Sequence, residues 1–411
     1  MQEINISPAN LERCLKCDLC TQICPMFAVN SDYPGPKAAG PDCERYRLKD
    51  PEFFDSALKY CLNCKRCEVI CPSGVKVGDI IAVNRLKYGR PSRPLRDRML
   101  ASTDLVGSLA SPFAPIVNPI LGLGITKSVL DSTVGISKER TFPKYSSSKF
   151  VTWFRRHAAR EQEKFGRKVH YFHGCYVNYN YPQLGKDFVR LMNACGYGVE
   201  LLDKEKCCGV ALIANGFGKQ ASKQAAVNLA SIRKAGGEVL TTSSTCTFTM
   251  RDEYDHVLGL ENADVRDRIL LATKWLYDKL EAGEIRLAFR EDFKMQAAYH
   301  TACHMQKMGW QQYSIRLLQM IPGMELTVLD QHCCGISGTF GYKKENFGYS
   351  KQISKELVDD IRATGVQTVI TDCETCKWQI EGFTGLEVLN PVSVLAQAID
   401  YEKTLRLNEN Q

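Results

Sequence analysis

The chain has 411 residues, enough for several domains with cores of their own, and 44% of them are hydrophobic and 24% charged. The net charge of +7 comes entirely from residues 127–168, where eleven lysines and arginines face four acidic residues. Nucleic acid is not an expected partner. Residues 1–10 are polar, so we expect no secretion signal, and 19 cysteines then point to the reducing cytoplasm.

The first predicted element is a cysteine run that occurs twice, with the spacing Cys-x2-Cys-x2-Cys-x3-Cys-Pro. This is the spacing of bacterial two-cluster ferredoxins, in which the last cysteine of each run ligates the other cluster. Zinc sites instead favour two separated pairs of ligands. We predict a mostly helical module over residues 1–95 with two [4Fe–4S] clusters. The predicted ligands are Cys14, Cys17, Cys20 and Cys71 for one cluster and Cys24, Cys61, Cys64 and Cys67 for the other.

Residues 96–167 are predicted to form a connector with a surface role. Residues 105–126 carry no charge, but three prolines interrupt them, which argues against a membrane-spanning helix. The aromatic residues that follow have the i, i+3, i+4 spacing of one helix face, beside arginines that can reach headgroup phosphates. We predict a helix in a membrane interface; the alternative is a helix packed on the protein's own domains. The predicted contact residues are Phe150, Trp153, Phe154, Arg155 and Arg156.

From residue 168 the sequence repeats itself, and corresponding cysteines are 128, 126 and 127 residues apart. We therefore predict two duplicated domains, over residues 168–292 and 293–403. Strand and helix patterns alternate in each, which indicates an α/β domain with a parallel sheet. A cysteine follows each predicted strand, so we expect one site per copy beyond the carboxyl ends of the strands. These strands are Val169–His173, Val199–Leu202, Val239–Thr242, Gln296–Tyr299, Glu325–Leu329 and Thr368–Thr371.

The two copies differ in the number of thiols that they offer to a metal. The second copy has five, those of Cys303, Cys333, Cys334, Cys373 and Cys376. The first copy has four, those of Cys175, Cys207, Cys208 and Cys246, because Thr249 stands at the fifth position. Adjacent cysteines can serve neighbouring irons of an open cluster, and the glycine after them allows close approach of the backbone. The alternatives are buried thiols that act as small hydrophobes and, in the second copy, a redox-active dithiol.

The remaining histidines and cysteines near these motifs have less specific roles. His173, His300 and His304 flank the cysteines and can tune a cluster or donate a proton, or else satisfy backbone carbonyls. Cys43 and Cys195 are expected to be ordinary packed or surface thiols. No G-x-G-x-x-G follows a strand and no Ser/His/Asp set is visible, so we expect no flavin, no nicotinamide and no catalytic residue on this chain. A partner must then carry out the oxidation.

The chain resembles the C-subunit family of anaerobic glycerol-3-phosphate dehydrogenase, and its Cys-Cys-Gly domains also resemble those of heterodisulfide reductase, glycolate oxidase and lactate-utilisation proteins. The resemblance runs along nearly the whole chain. The distinctive stretches are Tyr33–Asp42, Leu58–Ile80, Phe172–Asp187, Lys204–Phe217 and Thr371–Glu381.

This resemblance implies that a flavoprotein subunit and a second partner subunit oxidise sn-glycerol 3-phosphate. The present chain would pass the electrons to a quinone and tether the pair, as a peripheral protein, to the cytoplasmic face of the inner membrane. It also implies a noncubane [4Fe–4S] cluster at the five thiols of the second copy and leaves the first copy in doubt. The alternatives are a thiol–disulfide reductase of the heterodisulfide type and the iron–sulfur subunit of another quinone-linked 2-hydroxy acid dehydrogenase. The expected fold class is α+β multidomain.

Overall fold

The structure is a computed structural model that describes residues 11–53, 55–89 and 93–409. A mostly helical N-terminal module is followed by a helical connector and by two α/β units, each with a four-stranded sheet. The predicted fold class is confirmed. The boundaries drawn from the sequence stay predictions, although the first strands of the two sheets begin close to them, at Arg167 and Met295.

The N-terminal module is built from short helices because cysteine loops and prolines interrupt the chain every few residues. Its core contains Met26, Tyr33, Leu58, Ile80 and Ile81, all nearly or fully buried. The longest helix supplies the two isoleucines and so closes the module. The helices are Leu19–Gln22, Ala38–Asp42 (π), Cys43–Arg47, Ser56–Tyr60 (3₁₀), Arg66–Val69 and Val77–Tyr88.

The connector is helical over most of its described length. Turns of helix continue from Thr103 to Gly122 through one 3₁₀ turn at the first proline, so the expectation that prolines interrupt this stretch is wrong. Its helices are Pro94–Ala101, Thr103–Ala110, Ser111–Phe113 (3₁₀), Ala114–Gly122, Gly124–Val129, Leu130–Val134 (π), Phe150–Trp153, Phe154–Ala158 (π) and Ala159–Gln162.

The stretch 103–122 is long and apolar enough to cross a membrane by length and composition, and only 22% of its most apolar window is buried. Its small and polar residues face the protein. The Gly107 backbone lies so close to the Tyr179 ring that a Cβ there would come within 2.5 Å of it. Ser111 and Ala114 are buried, and the Asn118 side chain exchanges two hydrogen bonds of 2.8 Å with the backbone of Tyr145.

The opposite face of this helical stretch is an unbroken apolar surface, which we call the apolar ridge. All its large side chains are about half exposed or more, from 46% to 80%. They follow helical spacing and then continue into the next helix. The ridge consists of Leu105, Leu109, Phe113, Ile116, Ile120, Leu123, Ile125 and Val129.

The predicted membrane-contact helix is, by contrast, part of the core. Phe150 is fully buried and Phe154 is 5% exposed, so the prediction that these two rings contact a membrane is wrong. The Phe150 ring meets Tyr171 edge-on at 5.7 Å and occupies space that a side chain at Gly185 would fill. Helical aromatic spacing identifies an apolar face but does not say whether lipid or protein covers it. Of the remaining predicted contacts, Trp153 is half-buried against the same core, and Arg155 and Arg156 are exposed.

Each repeat contains a fully parallel sheet of the same topology. The strands are β1 Arg167–Phe172, β2 Tyr197–Leu201, β3 Val239–Thr241, β4 Ile269–Leu271, β5 Met295–Tyr299, β6 Met324–Val328, β7 Thr368–Ile370 and β8 Glu387–Leu389. The strand orders are β2-β1-β3-β4 and β6-β5-β7-β8, so the second sheet reproduces the first. Six strands lie close to their predicted positions, while β4 and β8 were not predicted.

The helices between the strands carry apolar faces that cover the sheets. In the first repeat they are Gly174–Tyr179, Pro182–Ala194, Val210–Ala214, Gly218–Ala235, Ser244–Phe248, Thr249–Glu253 (π), Tyr254–His256, Ala263–Arg266 and Ala272–Glu281. In the second repeat they are Cys303–Met308, Gln311–Gln319, Phe340–Tyr342 (3₁₀), Lys344–Thr364, Glu374–Thr384, Pro391–Ala398 and Tyr401–Asn408.

The two repeats share one hydrophobic core, which places their sites side by side. Tyr171 and Leu240 of the first sheet pack in the same cluster as Tyr299 and Ile370 of the second. The Ser393 hydroxyl also donates a 2.5 Å hydrogen bond across the seam to Asp187.

We predict that Phe150→Ala destabilises the protein, because removing a buried Phe ring costs about 3–5 kcal/mol. The midpoint of thermal unfolding of anaerobically purified protein should fall, whereas Arg156→Ala at an exposed neighbouring position should leave it nearly unchanged. An unaltered midpoint combined with loss of vesicle binding in Phe150→Ala would instead restore the membrane role of this helix.

Candidate iron–sulfur sites

The cysteines of the N-terminal module surround two separate cavities. The first cavity is lined by Cys14, Cys17, Cys20 and Cys71, and the second by Cys24, Cys61, Cys64 and Cys67. The last cysteine of each run therefore lies with the first three of the other, as the ferredoxin spacing requires. Each set presents four thiols around one compact space, which fits a [4Fe–4S] cluster.

The backbone between these cysteines adopts a conformation that the sequence did not reveal. Lys16 and Asp18 flank Cys17 with φ of 56° and 66°, and Asn63 and Lys65 flank Cys64 with φ of 56° and 60°. Residues other than glycine seldom occupy this left-handed region, and such strain concentrates at binding sites. Neither a helix nor a strand directs every third side chain to the same point. The left-handed residues therefore curve each run around its own cavity, and the pattern is identical in both runs.

The loop of the second run is buried against both repeats, where charged groups hold it. Lys65, about 1% exposed, places its ammonium 2.5 Å from Asp79 and 3.5 Å from Glu253. Burial disfavours the charged lysine, but the surrounding carboxylates outweigh this and raise its pKa. Glu68 in turn lies 2.8 Å from Lys307 of the second repeat. A buried charge without a partner costs several kcal/mol of stability, so any other position of the module, which would separate these pairs, is disfavoured.

The five thiols of the second repeat converge from three segments beyond the ends of β5, β6 and β7. Cys376 donates a 3.2 Å hydrogen bond to Cys334, which lowers the pKa of Cys334 well below its usual value. A hydrogen bond with Cys376 also lowers the pKa of Cys373, to about 6. Metals bind cysteine sulfur as the thiolate, and five thiols that converge on one buried place are a donor set that fits a metal site.

The site of the second repeat adjoins the second cavity of the N-terminal module. Burial raises the pKa of Cys64 to about 12, and the nearby Cys333 thiol adds to that effect. Burial, then Cys64 and Cys333, likewise raise the pKa of Cys303. Cys333 moreover belongs to the hydrophobic cluster that contains Cys67. Two groups of thiols on distant parts of the sequence are thus immediate neighbours.

The four thiols of the first repeat also lie together. A hydrogen bond from Cys175 lowers the pKa of Cys207 well below its usual value, and Cys208 shares a hydrogen bond with Cys246. Thr249, where a fifth thiol would be, is buried and donates its hydroxyl to Glu253 at 3.0 Å. The first repeat therefore offers four of the five donors in the same arrangement.

The two repeat sites face each other across the seam. Cys246 of the first and Cys373 of the second line one small cavity. The Thr245 hydroxyl lies 3.4 Å from the Cys373 sulfur, and Ser243 donates a 2.7 Å hydrogen bond to Glu374. The predicted ligand thiols thus form a series of neighbouring groups, from the N-terminal module through the second repeat to the first.

The three flanking histidines have different surroundings. His173 lies 2.9 Å from the Gly174 carbonyl, and burial lowers its pKa to about 4. His304 lies 3.2 Å from the Asn63 carbonyl. His300 differs, because its buried ring lies within 4.8 Å of the Cys334 and Cys376 sulfurs, and its proximity helps to lower the pKa of Cys334.

Further residues contact the sites without a clear signal in the sequence. Asp104, at the start of the stretch 103–122, accepts a 2.7 Å hydrogen bond from the backbone N–H of Cys207. Burial raises the pKa of Asp104 to about 6. The two cysteines left out of the predicted sites, Cys43 and Cys195, are buried and line none of the cavities described above.

Known families match both parts of this arrangement. A 4Fe-4S dicluster domain matches residues 10–75, and a cysteine-rich domain matches residues 169–251 and again 297–381. The C subunit of anaerobic glycerol-3-phosphate dehydrogenase from Escherichia coli K12 is 52% identical over 398 residues, which cover 96% of this chain and 100% of its own. The chain belongs to this C-subunit family. The resemblance seen in the sequence is confirmed, and so are its [4Fe–4S] cofactors.

More distant relatives share part of the chain. "Lactate utilization protein A" of Bacillus pumilus is 29% identical over 216 residues, 50% of this chain and 87% of its own. "Lactate utilization protein A 1" of Bacillus anthracis is 25% identical over 245 residues, 57% of this chain and 99% of its own. Among solved structures, a glutamate racemase of Bacillus anthracis superposes with a TM-score of 0.28 at 9% identity over 60% of this chain and 83% of its own, too weakly to support a conclusion.

Proposed function

We propose that this iron–sulfur protein transfers electrons from a flavoprotein partner to a quinone and holds the partner subunits at the membrane. The observation that supports this proposal most is the series of four neighbouring thiol groups, two in the N-terminal module and one in each repeat. Electron transfer needs closely spaced redox centres, and no other group on the described part of the chain supplies them. A [4Fe–4S] cluster exchanges single electrons, which lets the chain pass on the two electrons of a reduced flavin one at a time. The chain alone would not oxidise glycerol 3-phosphate.

The ligands in this proposal are the cysteines that the structure brings together. The N-terminal module would hold two clusters with the two crossed sets of four, and the second repeat would hold a noncubane cluster with its five thiols. The first repeat, with four thiols, is proposed as a fourth site. His300 lies where it can donate a hydrogen bond to a cluster of the second repeat and tune its potential.

Membrane attachment is proposed at the apolar ridge. Contiguous exposed apolar surface of this kind marks an interaction site. The stretch 103–122 packs on the protein along Gly107, Ser111 and Ala114, so we infer that it lies in the plane of the interface and does not span the bilayer. Lys149 donates a 3.1 Å hydrogen bond to Ser108, which places one residue of the basic segment next to the ridge. The proposed location is the cytoplasmic face of the inner membrane. There the chain would form a heterotrimer with the flavoprotein subunit and the second partner subunit.

Cys61→Ser is predicted to stop electron flow from the flavoprotein partner to quinone, because it removes one ligand of the second cluster. Dye reduction by the catalytic partners should continue, and bound iron should fall. Cys43→Ser is the matched control, since this buried thiol of the same module accepts a 3.1 Å hydrogen bond from Arg47 and lines neither cavity. Quinone reduction that persists in Cys61→Ser after loss of iron would refute the electron-transfer role.

The double variant Phe113→Asp with Ile116→Asp is predicted to release the protein from anionic vesicles. Each large apolar side chain contributes about 1.5–3 kcal/mol on burial, so the partition coefficient should fall by about a hundredfold or more. Leu48→Asp with Met320→Asp places the same charges at exposed apolar positions that are not part of the ridge and should have little effect. Co-sedimentation with vesicles measures both; equal binding of the two double variants would contradict the ridge as the attachment surface.

A further inference from the structure

A cleft at the seam between the repeats has the size and lining of a binding site. Its cavity volume of about 330 Å³ lies in the range of small-molecule sites. The connector covers one side, and the helix Glu374–Thr384, which begins at the thiols of the second repeat, forms another. The lining residues that matter here are Phe142, Lys144, Tyr176, Tyr181, Lys377 and Trp378.

The walls of this cleft are aromatic. Tyr176 stacks with Tyr181 at a centroid distance of 6.0 Å and meets Trp378 edge-on at 5.6 Å. Phe142 of the connector completes the lining. Flat rings in offset or edge-on geometry are the surfaces that accept another flat ring.

The inner end of the cleft leads to the cluster sites. A smaller cavity of about 20 Å³ shares three lining residues with the cleft, and Cys246 and Cys373 open into it, one from each repeat. Thr371 also lines this inner cavity. Its hydroxyl is buried and has no hydrogen-bond partner within the part of the chain that the structure describes. An unsatisfied buried hydroxyl requires an explanation, and a ligand oxygen or a water beside it supplies one.

One wall of the cleft carries a cation that can still donate a hydrogen bond. The Lys377 ammonium donates to Glu381 at 2.6 Å and to the Val388 carbonyl, and it lies 5.3 Å from the centre of the Tyr181 ring. Because an ammonium has three N–H groups, one remains for a ligand. A cation that donates to a carbonyl oxygen stabilises the negative charge that develops there on reduction.

The outer wall of the cleft is tied to the apolar ridge. Lys144, a lining residue, accepts a 3.0 Å hydrogen bond from Asn180 through its backbone carbonyl. The next residue, Tyr145, is held by the two hydrogen bonds to Asn118 on the ridge helix. The segment that forms this wall is thus fixed to the protein-facing side of the ridge helix, which places the cleft near the proposed membrane surface.

We propose that this cleft is the quinone-reducing site, with the quinone ring held between the aromatic walls and one of its oxygens at Lys377. The inference rests on the proposed function and adds the place where the electrons leave. The quinone accepts two electrons, which the flavoprotein partner supplies through the iron–sulfur sites, and two protons, which come from water at the open mouth. Each quinone oxygen gains one proton from an O–H bond of water, which leaves one hydroxide in the solvent for each proton taken. The two C=O bonds become C–OH as the quinone ring becomes aromatic.

Gly382 provides a variant that fills the cleft without removing any group from it. It lies on an exposed turn of the helix Glu374–Thr384, and a Cβ there would meet only the Thr141 hydroxyl, at 3.8 Å. Gly382→Phe should therefore fold and occupy the space of the ring. The matched control is Gly348→Phe, at another exposed helical glycine with open space around it and outside the cleft.

The test uses the full chain, loaded with iron anaerobically, and two readouts. The first is equilibrium binding of 2-heptyl-4-hydroxyquinoline N-oxide, a quinol analogue, followed by quenching of its fluorescence. The second is oxidation of the dithionite-reduced protein by menadione, with ferricyanide as a small polar oxidant for comparison. Gly382→Phe should raise the Kd and lower the menadione rate by about tenfold or more, because an overfilled site excludes the ring. Ferricyanide oxidation, iron content and every property of Gly348→Phe should match the wild type.

The possible failures are distinguishable. If the iron-loaded wild type does not reduce menadione, the proposed function is wrong. If it does and Gly382→Phe binds the analogue and reduces menadione equally well, the quinone site lies elsewhere and only the cleft assignment fails. If Gly382→Phe loses iron, Gly382→Leu, with a smaller side chain, takes its place and must show the same loss of binding with full iron content.

Discussion

The structure depends on one constraint, which is that thiols from distant parts of the chain must meet in the protein interior. The loop from Cys61 to Glu68 shows how this is achieved. Its buried Lys65 is neutralised by Asp79 of the same module and Glu253 of the first repeat, while Glu68 pairs with Lys307 of the second. Because a buried charge without its partner costs several kcal/mol, the module docks in a single register. That register brings the second ferredoxin cavity next to the thiols of the second repeat.

Duplication of the α/β domain places the cysteines of the two repeats next to each other. Two parallel sheets of the same strand order share a core, and their carboxyl ends meet at a common seam. The copies then differ in what they carry. The first repeat has Thr249 in place of a thiol and contacts the ridge helix through Asp104, whereas the second has all five thiols and faces the N-terminal module. One copy thus contacts the ridge helix at its cysteine loop, and the other places its cysteines beside those of the N-terminal module.

The sequence could predict the groups of ligand cysteines and most of the strands because the spacing of ligands is a strong local signal. The two cysteine runs and the regular offset of the repeats indicated which thiols belong together, and six strands followed from apolar patterns. The strands β4 and β8 were missed although they are as long as β3 and β7, because no cysteine follows them to mark the end of a strand. The aromatic spacing around Phe150 was assigned to lipid, although Tyr171 and the space at Gly185 receive that ring. The ridge was overlooked because its prolines were expected to break the helix. The hydrogen bond from Cys207 to Asp104 joins residues 103 positions apart and leaves no local pattern.

Electron transfer to the seam requires iron in the repeats, because a chain with metal only in its ferredoxin module would have no redox centre there. The most direct measurement is anaerobic analysis of iron and acid-labile sulfide on the intact chain, with EPR of the reduced protein. Four irons per cluster give about eight for the module alone and about twelve to sixteen when one or both repeats are filled. We expect twelve irons or more, with an EPR signal beyond those of the ferredoxin clusters. A value of about eight, with ferredoxin signals only, would contradict it.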